Sequence, residues 1–157
     1  AERLNNQDST QVCVGEAQMI KYPDVAFKME YNPDNETTLS YLILEFDYKR
    51  SNSTYKSEIF NLEYKNQNFN KILSAPIDED ENTTITLKAG NFKKDAVDDL
   101  VTNNNAKARI VYVIDGSISL TNTDKKLAKS DSIFYSKKKQ LHFKAQEDSN
   151  LLMIEIS

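Results

Sequence analysis

Few residues of this chain are of a type that does chemistry, and their spacing narrows the field further. There is one histidine, His142, in the run LHFK, and one cysteine, Cys13, in QVCV. Transition-metal sites take three or four imidazole, carboxylate or thiolate ligands, so a single histidine does not make one. A single cysteine excludes a disulfide within the chain and a cysteine-rich zinc site. Cys13 reads as a small hydrophobe in a strand, with a reactive thiol as the other reading. Serines are plentiful, but no Gly-x-Ser-x-Gly turn accompanies the lone histidine, which leaves no basis for a Ser-His-Asp triad. The acidic run IDEDENT (77–83) lacks the glycine and distal glutamate of a calcium loop and reads as a solvated loop.

Arg109, Tyr112 and Tyr135 remain as ligand-binding candidates. A guanidinium suits two-pronged recognition of carboxylate or phosphate. Inside an apolar interior Arg109 needs a counter-charge, either an anionic ligand or a protein carboxylate. The two tyrosines lie on strands expected to border that interior, where a phenol can orient a ligand or simply pack with its hydroxyl satisfied. The stretch KKLAKSDSIFYSKKK (125–139) concentrates lysines, including Lys137, Lys138 and Lys139, and reads as an anion patch or as a solvated turn.

The elements that must position these residues read as short strands. QVCVG, AFKMEY (26–31), TLSYLILEFDYK (38–49) and TYKSEIFNLEYK (54–65) are rich in Tyr, Phe, Ile and Leu. Turn-forming clusters NPDNE (32–36) and RSNS (50–53) separate them, the second as a hairpin connection. Residues 38–49 are apolar at both alternating sets of positions, which predicts a strand covered on both sides. Residues 69–76 have no clean period and read as a helical turn or a strand end, stopped by Pro76. One helix is predicted, over 93–101, with Ala96, Val97, Leu100 and Val101 at helical spacing and Asn91 or Asp95 as cap. From Arg109 onward the pattern is strand, turn, strand, with Asp115-Gly116 as a tight turn.

At 157 residues the chain fits one domain, 12–157 after a loose polar start at 1–11. Eight Tyr and seven Phe argue against disorder, and a net charge of −4 with no basic aromatic stripe argues against nucleic acid. No apolar run spans a bilayer and no signal-peptide pattern opens the chain, so the cytoplasm is the default, with an export signal already cleaved as the alternative.

The C-terminal half, 85–156, resembles the cupin superfamily. Its order is ITLKAG (85–90), ARIVYVIDGSISL (108–120), LAKSDSIFYS (127–136) and QLHFKAQEDSNLLMIEI (140–156). Gly90 matches the glycine that opens the first cupin motif, and Gly116 the glycine that closes its hairpin. Seven positions before Gly116 stands Arg109, where the family's glutamate belongs; Asn103 and Asn105 stand six and four before that, where its histidines belong. Residues 93–101 then read as an insertion. In the second motif Ser130-Asp131 is similar to the Gly-Asp turn, Ser136 and Lys138 occupy the Pro and Gly places, and Leu141 the histidine place. In this register Leu141, Phe143 and Ala145 face inward, and His142 and Lys144 outward.

The resemblance implies an all-β fold, a cupin-like jelly-roll barrel with added N-terminal strands and at most one or two short helices. It also implies that the metal ligands are replaced at Asn103, Asn105, Arg109 and Leu141, so neither a metal nor another cofactor is expected. The leading expectation is a non-enzymatic module binding a small anionic or sugar-like ligand or another macromolecule. The alternative is a metal-independent sugar isomerase or epimerase that holds an anionic group with Arg109. A third reading is a structural subunit whose barrel is filled by side chains. A homodimer is expected, with the strand 38–49 as its contact; no nucleic-acid or membrane partner is expected.

Overall fold

The computed structural model describes residues 13, 15–21, 36, 38, 42–43, 56–61, 65–76, 83–99, 105–121, 123–136 and 141–157. Among these residues every regular element is a strand, twelve in all. β1 (Glu16–Lys21) and β2 (Lys56–Asn61) form an antiparallel pair. A six-stranded sheet runs β10 (Ser132–Ser136), β7 (Ala108–Asp115), β12 (Ser149–Ile156), β5 (Thr84–Phe92) and β3 (Lys65–Asn66), with β4 (Asn70–Pro76) also pairing β5. A four-stranded sheet runs β6 (Val97–Asp99), β11 (His142–Ala145), β8 (Ser117–Leu120) and β9 (Lys126–Ala128).

Alternation along the strands builds the core. Side chains point to opposite faces at successive residues, so each strand contributes to one layer with every second position. On β7, Arg109, Val111 and Val113 are buried on one face while Ile110, Tyr112 and Ile114 lie on the other. On β12, Leu151, Met153 and Glu155 share the face of Val111, and Leu152 and Ile154 share that of Ile110. The four-stranded sheet meets the first face with Ile118, Leu120, Leu127, Phe143 and Ala145. Phe92 of β5 and Phe143 of β11 touch edge-to-face across the layers, ring centroids 4.9 Å apart. This is the jelly-roll arrangement of two sheets around one apolar interior.

Of the predicted helix at 93–101, residues 93–99 are described, and they form a turn followed by β6. The Asp95 N–H donates to the Ala145 carbonyl at 2.9 Å, and the Ala145 N–H to the Ala96 carbonyl at 2.8 Å. The Ala96 carbonyl, which a helix would bond internally, is thus taken by β11. Asp95 has φ 67, a left-handed conformation that no α-helix accommodates. Val97, expected on a buried stripe, is 64% exposed. Residues 70–76 take the strand reading. Cys13 is exposed rather than part of a packed strand.

The N-terminal tail 1–11, the turn 50–53, most of 32–36 and of 77–83, and Lys137–Lys139 lie outside the described residues. So does most of the expected strand 38–49; of its positions, Leu42 and Ile43 are exposed and not in a strand.

Two turns depend on left-handed backbone. Gly116 (φ 84) joins β7 to β8, and a Cβ there would collide with the Asp148 carbonyl and the Ser149 hydroxyl. Ser130 (φ 70) donates its N–H to the Val113 carbonyl at 2.8 Å, and the Val113 N–H donates to the Asp131 carbonyl at 3.0 Å. Two residues opposing one, the first with positive φ, make a β-bulge of the kind that usually carries glycine. Asp131 closes the turn by accepting the Ala128 N–H on its carboxylate at 2.9 Å.

Candidate functional site

Polar side chains gather at one place in the interior, across four neighbouring strands of the larger sheet. Tyr135 on β10 stands opposite Arg109 on β7. Arg109 in turn stands opposite Glu155 on β12. Glu155 opposes Thr86 on β5, and Lys88 is the next β5 residue on that face. The two-residue period puts all of them on the interior face, with Val111 and Met153 beside them.

Their geometry is that of a closed charge cluster. The Arg109 Nε donates to Glu155 Oε1 at 3.1 Å, and both side chains are 2% exposed. The Lys88 ammonium forms an ion pair with the other carboxylate oxygen, Oε2, and keeps slight contact with solvent. The Arg109 guanidinium carbon lies 5.9 Å from the centre of the Tyr135 ring, within reach of a cation–π attraction. Burial holds the Tyr135 phenol well above its ordinary pKa, against the opposing pull of the Arg109 cation. The cluster supplies donors and fixed charge; its carboxylate accepts a hydrogen bond from Arg109 and pairs by charge with Lys88.

The expected site residues separate on this frame. Arg109 and Tyr135 come together. Tyr112 does not join them: it lies an odd number of residues from Arg109, hence on the opposite face, packed with Ile110 and Ile114 against Leu152 and Ile154. Leu141 is buried in the interior core with Phe143 and Ala145, while His142 and Lys144 are only partly buried on the other side of β11. Asn105 sits exposed in a turn before β7; Asn103 lies outside the described residues.

Glu155 and Lys88 were not anticipated as site residues. Both carry a sequence signal, a lone charge in an otherwise apolar strand at a position whose strand neighbours two residues away face inward, in LLMIEI and ITLKAG.

Residues 72–156, more than half of the chain, match the family model described as the quercetinase C-terminal cupin domain. The chain belongs to this family. No curated protein sequence matches this cupin. Among solved structures, YhhW from Escherichia coli is 18% identical, with a TM-score of 0.50 over 66% of this chain and 44% of that one. Bacterial pirin YhhW in complex with nickel(II), also from Escherichia coli, gives 17% identity, a TM-score of 0.48 and the same coverages. KdgF from a Halomonas species is 16% identical over 55% of this chain and 76% of that one, with a TM-score of 0.41. This cupin thus spans under half the length of YhhW.

The donor set of this cupin does not fit the metal ion that the superfamily's motifs normally hold. Arg109 and Leu141, which the sequence resemblance sets against the glutamate and last histidine of the motifs, offer a cation only a like charge and no donor. Glu155 is the one carboxylate in the cluster, and Arg109 and Lys88 occupy both of its oxygens. Among the described residues no three His, Cys, Asp or Glu side chains come together in a way that could hold a metal ion. Among the same residues no helix is long and apolar enough to cross a membrane.

Proposed function

We propose that this cupin is a non-enzymatic module that works through its outer surfaces, its interior serving as core rather than as a metal or substrate site. The observation that carries the reading is the Arg109–Glu155–Lys88 cluster. The cations that could have met an anionic ligand meet a carboxylate of the chain instead, and Leu141, set by the resemblance against the last ligand position, packs in the core. The competing isomerase reading needs Arg109 directed at a substrate group. Its Nε is bonded to Glu155, and the interior beside it is filled by Val111, Tyr135 and Met153.

The test is elemental analysis of protein purified without chelators, together with thermal shifts on adding divalent metals and anionic sugars. Metal well below one equivalent and no ligand-dependent shift are expected. Near-stoichiometric transition metal, or saturable stabilisation by an anionic sugar that Arg109→Met abolishes, would overturn the proposal.

A further inference from the structure

We infer that residues 65–69 form a latch on the barrel. The latch lets go of the larger sheet as a unit while both sheets stay folded, and the place it vacates takes one planar aromatic ring. This goes beyond the reading of a closed interior: the interior is core while the latch is shut.

The path of the chain along β5 defines the latch. β3 runs parallel to β5, with Lys65 opposite Gly90 and Asn66 opposite Asn91. β4 then returns along the same edge of β5 in the antiparallel sense, beginning with Asn70 opposite Ala89, since β12 occupies the other edge. Residues 67–69 make the reversal. Gln67 takes φ 58, a left-handed conformation disfavoured for a residue with a side chain, and its N–H donates to the Asn91 carbonyl at 2.6 Å. Gln67 and Asn68 are exposed, whereas Phe69 is buried in the cluster between the two sheets.

Phe69 is the plug of this latch and Gly90 its seat. The Phe69 ring lies 5.1 Å from that of Phe92, tilted by 56°, and Phe92 rests in turn on Phe143 of the smaller sheet. Gly90 is two residues before Phe92 and therefore on the same interior face. A Cβ at Gly90 would stand 2.7 Å from the Asn68 carbonyl oxygen and 2.7 Å from the Phe92 ring. The bare backbone at Gly90 is what lets the latch lie down on β5.

Attachment along this edge is unequal. β4 pairs with β5 from Asn70 to Pro76. Among the described residues the latch is held by a two-residue pairing, the Gln67 hydrogen bond and one ring. Segments with few backbone bonds and little buried apolar surface open before the whole structure does. Withdrawal of Phe69 leaves Phe92 and Phe143 on their own paired strands, walling a slot of the size and character of the ring that left it.

The test is native-state hydrogen exchange on the full chain, followed by NMR in increasing urea. The Gln67 amide is expected to exchange at least about tenfold faster than those of Val111 and Met153, with a shallower dependence on urea. Gly90→Ala should speed Gln67 by about tenfold more and leave the two central-strand amides at the parent rate. In Phe69→Ala, toluene should raise the melting temperature saturably, as apolar cavities of ring size accept such molecules, with no effect on the parent. Exchange of Gln67 in one step with Met153 would overturn the inference. So would a Gly90→Ala variant that leaves Gln67 unchanged or speeds all three amides alike, or a Phe69→Ala variant indifferent to toluene. Bound metal would sink the functional reading and leave these measurements standing.

Discussion

Glu155 neutralises two cations in a place almost without water, so its removal has consequences larger than its own contacts. Glu155→Gln leaves Arg109 buried without its carboxylate, and breaking a buried pair from one side costs about 3–5 kcal/mol. Lys88 still touches solvent and can turn outward, which sets the expected loss near the lower end, about 3 kcal/mol by urea denaturation. The double substitution Arg109→Met with Glu155→Leu should recover most of it, because apolar groups of similar size replace both charges. A recovery of less than about half would mean that the pair is required for packing beyond its charge. At this scale the sequence was legible where type and period coincide. Leu141 inward and His142 outward follow from alternation once the resemblance sets the register of this strand. Tyr112 shows the other side of that rule: being aromatic and near the interior is not enough, since parity decides the face. What no single position discloses is which carboxylate meets Arg109, for Arg109 and Glu155 stand 46 residues apart and meet only through strand order.

Turns tie the strands in pairs, and their chemistry gives two measurable handles. Ser130 occupies a left-handed position at the bulge before β10. Non-glycine residues pay about 1–2 kcal/mol there, partly offset by the greater freedom glycine has when unfolded, so Ser130→Gly should raise stability by up to about 1 kcal/mol. The loop between β5 and β6 is fastened to β11 and to the turn before β12 by Lys144–Asp95 and Lys93–Asp148, both at 2.7 Å. The hydrogen bond from Lys144, with its charge, lowers the Asp95 pKa; the Lys93 hydrogen bond and then the Lys94 backbone N–H lower that of Asp148. Both carboxyls titrate lower folded than unfolded, so their contribution is complete above the ordinary carboxylate range near pH 4 and is lost as pH falls through the lowered folded values. Melting temperature should therefore fall below about pH 4, less steeply in Lys93→Met and Lys144→Met than in the parent. Equal slopes in all three would remove these pairs from the acid response. The same loop explains the failed helix at 93–101. Ala96, Val97, Leu100 and Val101 do satisfy helical spacing, but spacing over nine residues cannot anticipate backbone bonds to a strand that begins at His142.

Among the described residues the six-stranded and four-stranded sheets share one buried cluster between them, and a second lies on the other face of the six-stranded sheet. The barrel was legible because the alternating runs and turn residues of 85–156 are local signals, whereas the strand order within each sheet is fixed by contacts distant in sequence. Phe92 and Phe143 are fully buried and pack on each other from opposite sheets, so neither sheet keeps its apolar face covered without the other. The two sheets are therefore expected to unfold in one step, cooperating through this contact. The chain has no tryptophan and eight tyrosines, so tyrosine fluorescence reports tertiary packing while far-ultraviolet circular dichroism reports the strands. The two transitions should coincide in urea. Phe143→Ala should shift both together by about 3–5 kcal/mol, since it opens a cavity between the sheets. If the smaller sheet were an independent unit, this substitution would split the curves and leave one of them at the parent midpoint. Coincident shifts instead would mean that the filled interior is what makes the two sheets one cooperative structure.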